Sequence, residues 1–333
     1  MEKITVVITT FNRTELLLLT MTSVLELPTD ISSIYVADNN QNEETLERVQ
    51  KQFKMKMKKE ESNESYRRRD YQLYCNKKEI SLVYLLMKNN TGGAGGFHHG
   101  LKTAFDDNHD WYFLMDDDVA VNPDALNELI KYSNISKCLL SNRLSMKGSE
   151  LTRPGYFDFT TGRTFFLDGW REIKKDYTFS NLGCFEGMLI HKDIIAKISF
   201  PDPDFFMIGD DIIYGYLASY FTNVIFVRSS HVKKLNDSSE LEIVRRSYFS
   251  KSVNKTYYAI RNQWLIFAYL EKMNLLNKKL AFGIFIYKLI DTVLISLSHF
   301  KIKHLTVIVK AMIDGVGIYK KKLKRLSQNY LLV

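Results

Sequence analysis

Cysteine is scarce in this chain. Cys75, Cys138 and Cys184 are odd in number, far apart and free of any C-x-x-C spacing in 333 residues. No paired disulfide framework is available, which favours a reducing cytoplasm over secretion. Nor is a leader expected: Met1-Glu-Lys-Ile-Thr-Val-Val-Ile8 is too short and too acidic for a signal peptide and enters a β-branched strand at once, so no cleavage is expected. Internal repeats are absent. So are long uninterrupted apolar runs, because Lys288, Asp291 and His299 break the stretch Ala281 to Phe300, and Lys310 and Asp314 break Lys303 to Tyr319. That argues against clean membrane spans.

The residues present describe an α/β chain with a sizeable core, 45% of it apolar. Strand and helix patterns alternate: Ile4 to Thr9 reads as a strand, Thr14 to Leu25 as its helix, Ile34 to Ala37 as a second strand ending at Asp38, and Ser81 to Met87 as a third. The alternation predicts a parallel α/β sheet. Ligands bind at the carboxyl ends of such strands, which sets Thr10, Asn12, Arg13, Asp38, Asn90 and the Asp116 to Asp118 cluster on one rim. Residues 41–78 are long, polar and densely charged, and read as a helix extended by a surface insertion whose basic run is a solvated face.

Two motifs carry chemistry. Trp111-Tyr-Phe-Leu-Met115 runs into Asp116-Asp-Asp118, and strand alternation sends Asp116 and Asp118 to one side and Asp117 to the other. The first and third acids can then share one divalent ion, in the D-x-D arrangement that holds a diphosphate through a metal. The alternative is an acidic loop capping the helix Ala125 to Tyr132 behind Asn122-Pro-Asp124. The second motif, Asn90-Thr-Gly-Gly-Ala-Gly-Gly-Phe97, follows a strand and enters a helix, where Gly92, Gly93, Gly95 and Gly96 let backbone N–H groups approach a phosphate or nucleoside. A glycine-rich turn without a ligand is its alternative. Its order is not that of the dinucleotide fingerprint, and an oxidoreductase is not favoured.

With the opening Val6-Val-Ile-Thr-Thr-Phe-Asn-Arg13, the downstream Phe205-Phe-Met-Ile-Gly-Asp-Asp-Ile-Ile-Tyr-Gly215 and a later histidine, these motifs resemble the inverting family 2 glycosyltransferases. The closest likeness is to bacterial galactofuranosyltransferases, with rhamnosyltransferases as near relatives, over roughly Ile4 to Leu270. The resemblance implies a single nucleotide-diphosphosugar-binding (GT-A type) α/β domain over 1–270, with a mixed, mainly parallel sheet, followed by C-terminal helices. It implies UDP-galactofuranose, or a rhamnose donor on dTDP, as substrate. Mn²⁺ or Mg²⁺ would be bound by Asp116, Asp118 and His231. Thr10, Asn12, Arg13, Asp38, Asn90, the four glycines and Asp117 would hold the nucleotide. Asp211 would be the base and Asp210 would cap or orient the acceptor, although the helix that follows makes N-cap acids the alternative reading. On the acceptor side, Trp170, Phe185 and Glu186 are expected near the incoming sugar. Cys184 and Phe185 stand where mycobacterial-type relatives carry two tryptophans, which suits one addition better than polymerisation. The alternative of another class is a non-catalytic nucleotide-sugar or membrane-binding protein.

Residues 271–333 form a basic helical region, with twelve Lys or Arg and two acids from residue 272 onward. Apolar helices followed by Lys320-Lys-Lys-Leu-Lys-Arg325 suit the anionic inner face of a cell membrane, where a glycan or glycolipid acceptor would lie. A cap on the catalytic domain, or on a second subunit of a homo-oligomer, is the alternative. Nucleic acid is not expected, since no recognised module accompanies the charge.

Overall fold

A computed structural model describes residues 2–75, 78–151, 154–167, 175–236, 247–250 and 252–328. The first units follow the sequence pattern: β1 (Ile4–Thr10), α1 (Thr14–Leu25), β2 (Ile31–Asp38) and α2 (Glu44–Phe53). β1 is buried along its whole length, as a central strand covered on both faces must be. The charged insertion is more ordered than its composition suggests. After α2 it forms a hairpin, β3 (Lys56–Ser62) and β4 (Tyr66–Cys75), whose second strand pairs antiparallel with β5 (Lys78–Met87). β3 is exposed throughout, so the basic run is a solvated sheet edge, and a charged edge resists further strand pairing. Arg67 and Arg69 pair with Glu43, and Arg68 with Asp70 and Asp107.

The chain continues as α3 (Gly92–Asp106), β6 (Trp111–Asp116), β7 (Val119–Val121), α4 (Ala125–Ile130), β8 (Cys138–Leu144), β9 (Gly155–Asp158), β10 (Arg163–Phe166), β11 (Tyr177–Ser180) and β12 (Met188–His191). It ends with α5 (Lys192–Ile198), α6 (Asp210–Ala218), β13 (Val224–Lys234), α7 (Val253–Lys272), α8 (Lys278–Ser298) and α9 (Ile302–Gln328). The main sheet has the order β11-β13-β8-β12-β6-β1-β2-β5-β4-β3, with β7 on β13. β6, β1, β2 and β5 are parallel neighbours, and antiparallel β12 joins them to β8. One apolar layer sets α3, α5 and α6 against the sheet; the other sets α1, α2 and α4 on the opposite face. This is a three-layer α/β fold with a mainly parallel centre, followed by C-terminal helices.

The C-terminal helices are tied into the body. α7 and α9 pack along each other across the boundary expected at residue 270, so closely that Gly315 of α9 has no room for a side chain against Trp264. The basic run at 320–325 is divided by this packing. Lys322 is buried and pairs with Asp202 and Asp204, Arg325 pairs with Asp204, and Leu326 joins the main core. α8 turns Leu280, Ile286, Tyr287, Ile290, Leu294 and Leu297 outward. Among the described residues it is the helix long and apolar enough to cross a membrane by length and composition.

One crossing fixes α6. Gly183, in the loop before β12, lies backbone to backbone against Asp211 and Gly215, so a Cβ at Gly183 would overlap the Asp211 carbonyl. Gly183→Ala is therefore expected to destabilise the protein by about 1–3 kcal/mol, the usual cost of forcing a methyl into a packed contact. A urea midpoint equal to that of the unaltered protein would show that this crossing does not hold α6.

Candidate functional site

β1, β2 and β6 end level with one another, with Thr9 opposite Asp116 and Thr10 opposite Asp38. At that edge lies a cleft of about 720 Å³, large enough for a sizeable ligand. Thr9, Thr10, Phe11 and Arg13 line one side, Asn39, Asn90, Gly92 and Gly93 the next, and Asp116 and Asp117 the floor. The opposite wall comes from far along the chain: Phe206 and Met207, then Asn254, Tyr257 and Tyr258 of α7, and Val307 and Lys310 of α9. The C-terminal helices thus complete the cleft.

β6 ends at Asp116, so Asp117 and Asp118 lie in the turn that follows and the expected strand alternation does not extend to them. Asp117 turns toward the β1 loop, where the Thr10 hydroxyl donates to its Oδ2 at 2.6 Å and an Arg13 guanidinium nitrogen donates to its Oδ1 at 3.1 Å. Burial still raises its pKa above the ordinary carboxylate range, against the opposing effects of Thr10 and Arg13. Asp116 and Asp118 meet Glu186, with one oxygen from each lying within 4.8 Å of the others. Burial, and then the charge of Glu186, push Asp116 well above the usual range. Glu186 sits below it: its burial acts upward, but Arg143 and Lys234 outweigh that.

Among the described residues, three cations face this cluster. Arg13 donates to Asp118 at 3.0 Å as well as to Asp117, and Arg143 donates to Glu186 at 3.1 Å. Lys234 reaches in from the end of β13, its Nζ 2.9 Å from Asp118 Oδ1 and 2.9 Å from Glu186 Oε1. Asn236 adds a donor to Asp118 at 3.2 Å. The donor set is carboxylate oxygen alone, which fits a hard divalent cation such as Mg²⁺ or Mn²⁺. A resident ammonium already lies among the same oxygens.

Several expected residues stand elsewhere. His231 does not join the acids; its electrostatic partner is Glu128 on α4, and Glu186 takes the third place beside the D-x-D pair. The bulge in β13 between Val227 and His231 shifts its register, so that Lys234 and Asn236, not His231, arrive at Asp118. Glu186 was expected at the acceptor and belongs to the acidic centre instead. Phe185, also expected there, is a core residue, 4% exposed and packed on Phe97 and Tyr214, so its ring is not free to stack on a sugar. Trp170 lies outside the described residues.

Asp38 is fully buried, accepting from the Tyr84 hydroxyl at 2.7 Å and from the Asn40 N–H at 2.9 Å. Burial pushes it up to about 6. Its neighbour Asn39 is the residue that reaches the cleft, where its Oδ1 accepts from the Thr91 N–H and hydroxyl, both at 2.9 Å, and its Nδ2 donates to the Gly92 carbonyl. The signal for Asn39 was available in the Asp38-Asn-Asn40 strand end. Asn12 is exposed with φ 54° in the turn after β1 and does not line the cleft.

The glycine motif divides in two. Gly92 has φ +69°, and a side chain there would overlap the Phe206 carbonyl; it and Gly93 line the cleft. Gly96 is packing, since a Cβ would strike Thr9 Oγ1, and Gly95 similarly abuts Thr91 within α3.

The two acids opening α6 also diverge. Gly209, with φ +93°, is the residue before the helix, and no side-chain cap bond forms there. Asp211 interacts electrostatically with Arg143 and Glu186, and so faces the acidic centre. Asp210 lines a separate cavity of about 350 Å³ together with Asp202, Lys322 and Arg325. Burial raises both, Asp211 to about 6 and Asp210, which also faces the charge of Asp211, to about 7.

The comparisons with known proteins bear on the family and the fold. The family model for Glycosyl transferase family 2 matches residues 5–179. The crystal structure of GalNAc-T7 with UDP, GalNAc and Mn²⁺ aligns with a TM-score of 0.52 and 13% identity, covering 81% of this chain and 49% of that one. The S. aureus TarS 1–349 structure in complex with UDP-GlcNAc aligns at 0.48 with 17% identity, over 80% of this chain and 66% of that one. This chain therefore spans about half the length of the first and about two thirds of the second. No curated protein matches.

Arg13→Ala would leave Asp117 and Asp118 short of a cation. The guanidinium is 46% exposed, so the expected loss is about 1–2 kcal/mol, less than for a fully buried pair. Arg13 opposes the upward shift that burial gives Asp117, so the loss should be larger at pH 8 than at pH 5. Thermal unfolding at the two values checks this, and an equal loss at both would remove Asp117 from the account.

Proposed function

The chain belongs to glycosyl transferase family 2, and on that premise we propose that it transfers a sugar from a nucleoside diphosphate to an acceptor hydroxyl with inversion. The observation that carries this is the position of the acidic centre: Asp116 floors the large cleft and also belongs to the group formed with Asp118 and Glu186. Asn39, Asn90, Gly92 and Gly93 lie where the nucleotide would bind, and Tyr257, Tyr258 and Lys310 face it from the far wall. The donor we propose is UDP-galactofuranose, on the likeness of the N-x-G-G-A-G-G-F, D-D-D and G-D-D motifs, with dTDP-rhamnose as the competing donor. GalNAc-T7, which shares the fold, holds UDP and Mn²⁺.

In the reaction, Asp211 accepts the proton of the acceptor hydroxyl. The freed oxygen pair attacks the anomeric carbon, and the bond from that carbon to the diphosphate oxygen breaks on the opposite side. Arg13 and Lys310 border the cleft and attract the diphosphate. Asp116, Asp118 and Glu186 would hold a divalent ion, Mn²⁺ or Mg²⁺, which neutralises charge on the departing group. Hydrolysis and transfer across a panel of nucleotide sugars, with and without Mn²⁺, tests the assignment; no turnover of any donor would return the chain to a binding role.

Asp211→Asn should bind donor nearly as before and lose transfer, because the amide cannot accept the proton. Asp210→Asn should keep more activity, since Asp210 faces the other cavity. A dead Asp210 variant beside an active Asp211 variant would reverse the two roles. The raised pKa of Asp211 also predicts that kcat/KM falls as pH drops through about 6, where the base of the free enzyme becomes protonated. A flat profile from pH 5 to 8 would exclude it as the base.

We further propose that α8 and the start of α9 rest on an anionic lipid monolayer, which places the enzyme in the cytoplasm on the inner membrane face beside a lipid-linked acceptor. Leu294, Leu297, Phe300, Ile302, Val309 and Ile313 form an exposed apolar corner, with Lys301, Lys303 and Lys310 beside it. Each such lysine contributes about 1 kcal/mol near anionic lipid and less as salt rises. Because Val307 and Lys310 also line the cleft, an acceptor headgroup on that surface would be close to the donor. The chain should sediment with phosphatidylserine vesicles at low salt and be released at high salt, while Leu294→Asp/Phe300→Asp should bind much less. Equal binding by both proteins would overturn this, and a concentration-dependent dimer lost in the variant would assign the face to a second copy.

A further inference from the structure

The acidic centre contains a cation of its own. Lys234 is 5% exposed, and its ammonium bridges Asp118 and Glu186 at 2.9 Å each, with the charge of Asp116 also acting on it. Those three acids are the same residues whose oxygens converge within 4.8 Å. The lysine is firmly placed. It lies at the end of β13, whose pairing Lys234↔Val119 joins it to the strand directly following the acids, and the next N–H, that of Leu235, donates to the Asp118 carbonyl at 2.8 Å. The backbone of β13 therefore carries Lys234 to the D-x-D turn whatever the side chain does.

We propose that Lys234 is the resident counter-ion of this centre and that a divalent metal competes with it for Asp116, Asp118 and Glu186. Asp118 cannot give the same oxygen to an ammonium and to a metal ion with full strength, and two cations at that separation repel. With Arg13 and Arg143 also facing the cluster, the acids are largely neutralised before any ion enters. The centre is accordingly stable without metal and binds it weakly. The proposal rests on reading these three acids as the metal site, and not on sugar transfer, so its test uses neither donor nor acceptor.

The measurement is Mn²⁺ binding to the full chain, by loss of the free-ion electron paramagnetic resonance signal, for the unaltered protein, Lys234→Gln and Lys234→Arg. Removing the competing charge should tighten Mn²⁺ binding by about tenfold or more in Lys234→Gln, equivalent to at least about 1.4 kcal/mol. Lys234→Arg retains the charge and should show no gain. Thermal unfolding supplies the second readout. Lys234→Gln should melt lower than the unaltered protein in EDTA and recover more of its midpoint when Mn²⁺ is added. Folding of this variant only in the presence of Mn²⁺ would support the proposal in its strongest form. Three results overturn it: Mn²⁺ affinity unchanged or weaker in Lys234→Gln, an equal gain in Lys234→Arg, or a Gln variant that is unfolded with and without Mn²⁺, since the ion should be able to take the place of the ammonium.

Discussion

The structure is organised around the charge balance of four carboxylates at the carboxyl edge of a parallel sheet. Asp116, Asp117, Asp118 and Glu186 are brought out of bulk water by the surrounding strands, and isolated buried carboxylates would be far too costly to keep ionised. Arg13 from the loop after β1, Arg143 from β8 and Lys234 from β13 answer them. Each cation comes from a different strand neighbourhood, so the ion pairs also lock the two halves of the mixed sheet together at the cleft. Breaking one buried pair by removing its partner typically costs about 3–5 kcal/mol. Residual negative charge in such a site is what a cation requires.

The cleft depends equally on distant segments. α3 approaches β1 closely because Gly96 has no side chain to strike Thr9, and Gly92 accepts the Phe206 carbonyl at the cleft wall. Phe206 in turn stacks on Tyr258 with ring centroids 4.8 Å apart, which joins the loop before α6 to α7. α9 closes the wall with Val307 and Lys310, and its later turns hold Asp202 and Asp204 through Lys322 and Arg325. The basic tail is thus a brace for the loop leading into Asp210 and Asp211. That is why the positive charge, concentrated after residue 272, divides between inward ion pairs and an outward face.

Much of this was legible from local pattern. The β-branched runs, their helices and the D-x-D spacing each follow from short-range rules. The strand period of two stops with β6 at Asp116, so Asp117 and Asp118 take their directions from the turn and share Arg13. The hairpin β3–β4 was not, because its outward charges mask the β pattern and its apolar side shows only in Tyr71 and Leu73. Nor was the third acid. Glu186 lies seventy residues from Asp116 in sequence, in a segment whose aromatic neighbour Phe185 suggested a sugar-facing role that burial removes.

The sequence by itself determined the strand ends and the chemistry they carry: where β1, β2 and β6 stop, that acids stand at one of those stops, and that glycines follow another. Those are local properties, set by side-chain periodicity and by the conformations glycine permits. Only the tertiary structure decided which charges meet. A bulge in β13 moves His231 away and brings Lys234 to Asp118. A backbone crossing at Gly183 seats the first turn of α6 against the loop that leads to Glu186, while Asp210 lines another cavity. Register and long-range packing choose among residues that sequence spacing cannot separate, because one residue of shift reverses the face of every side chain that follows.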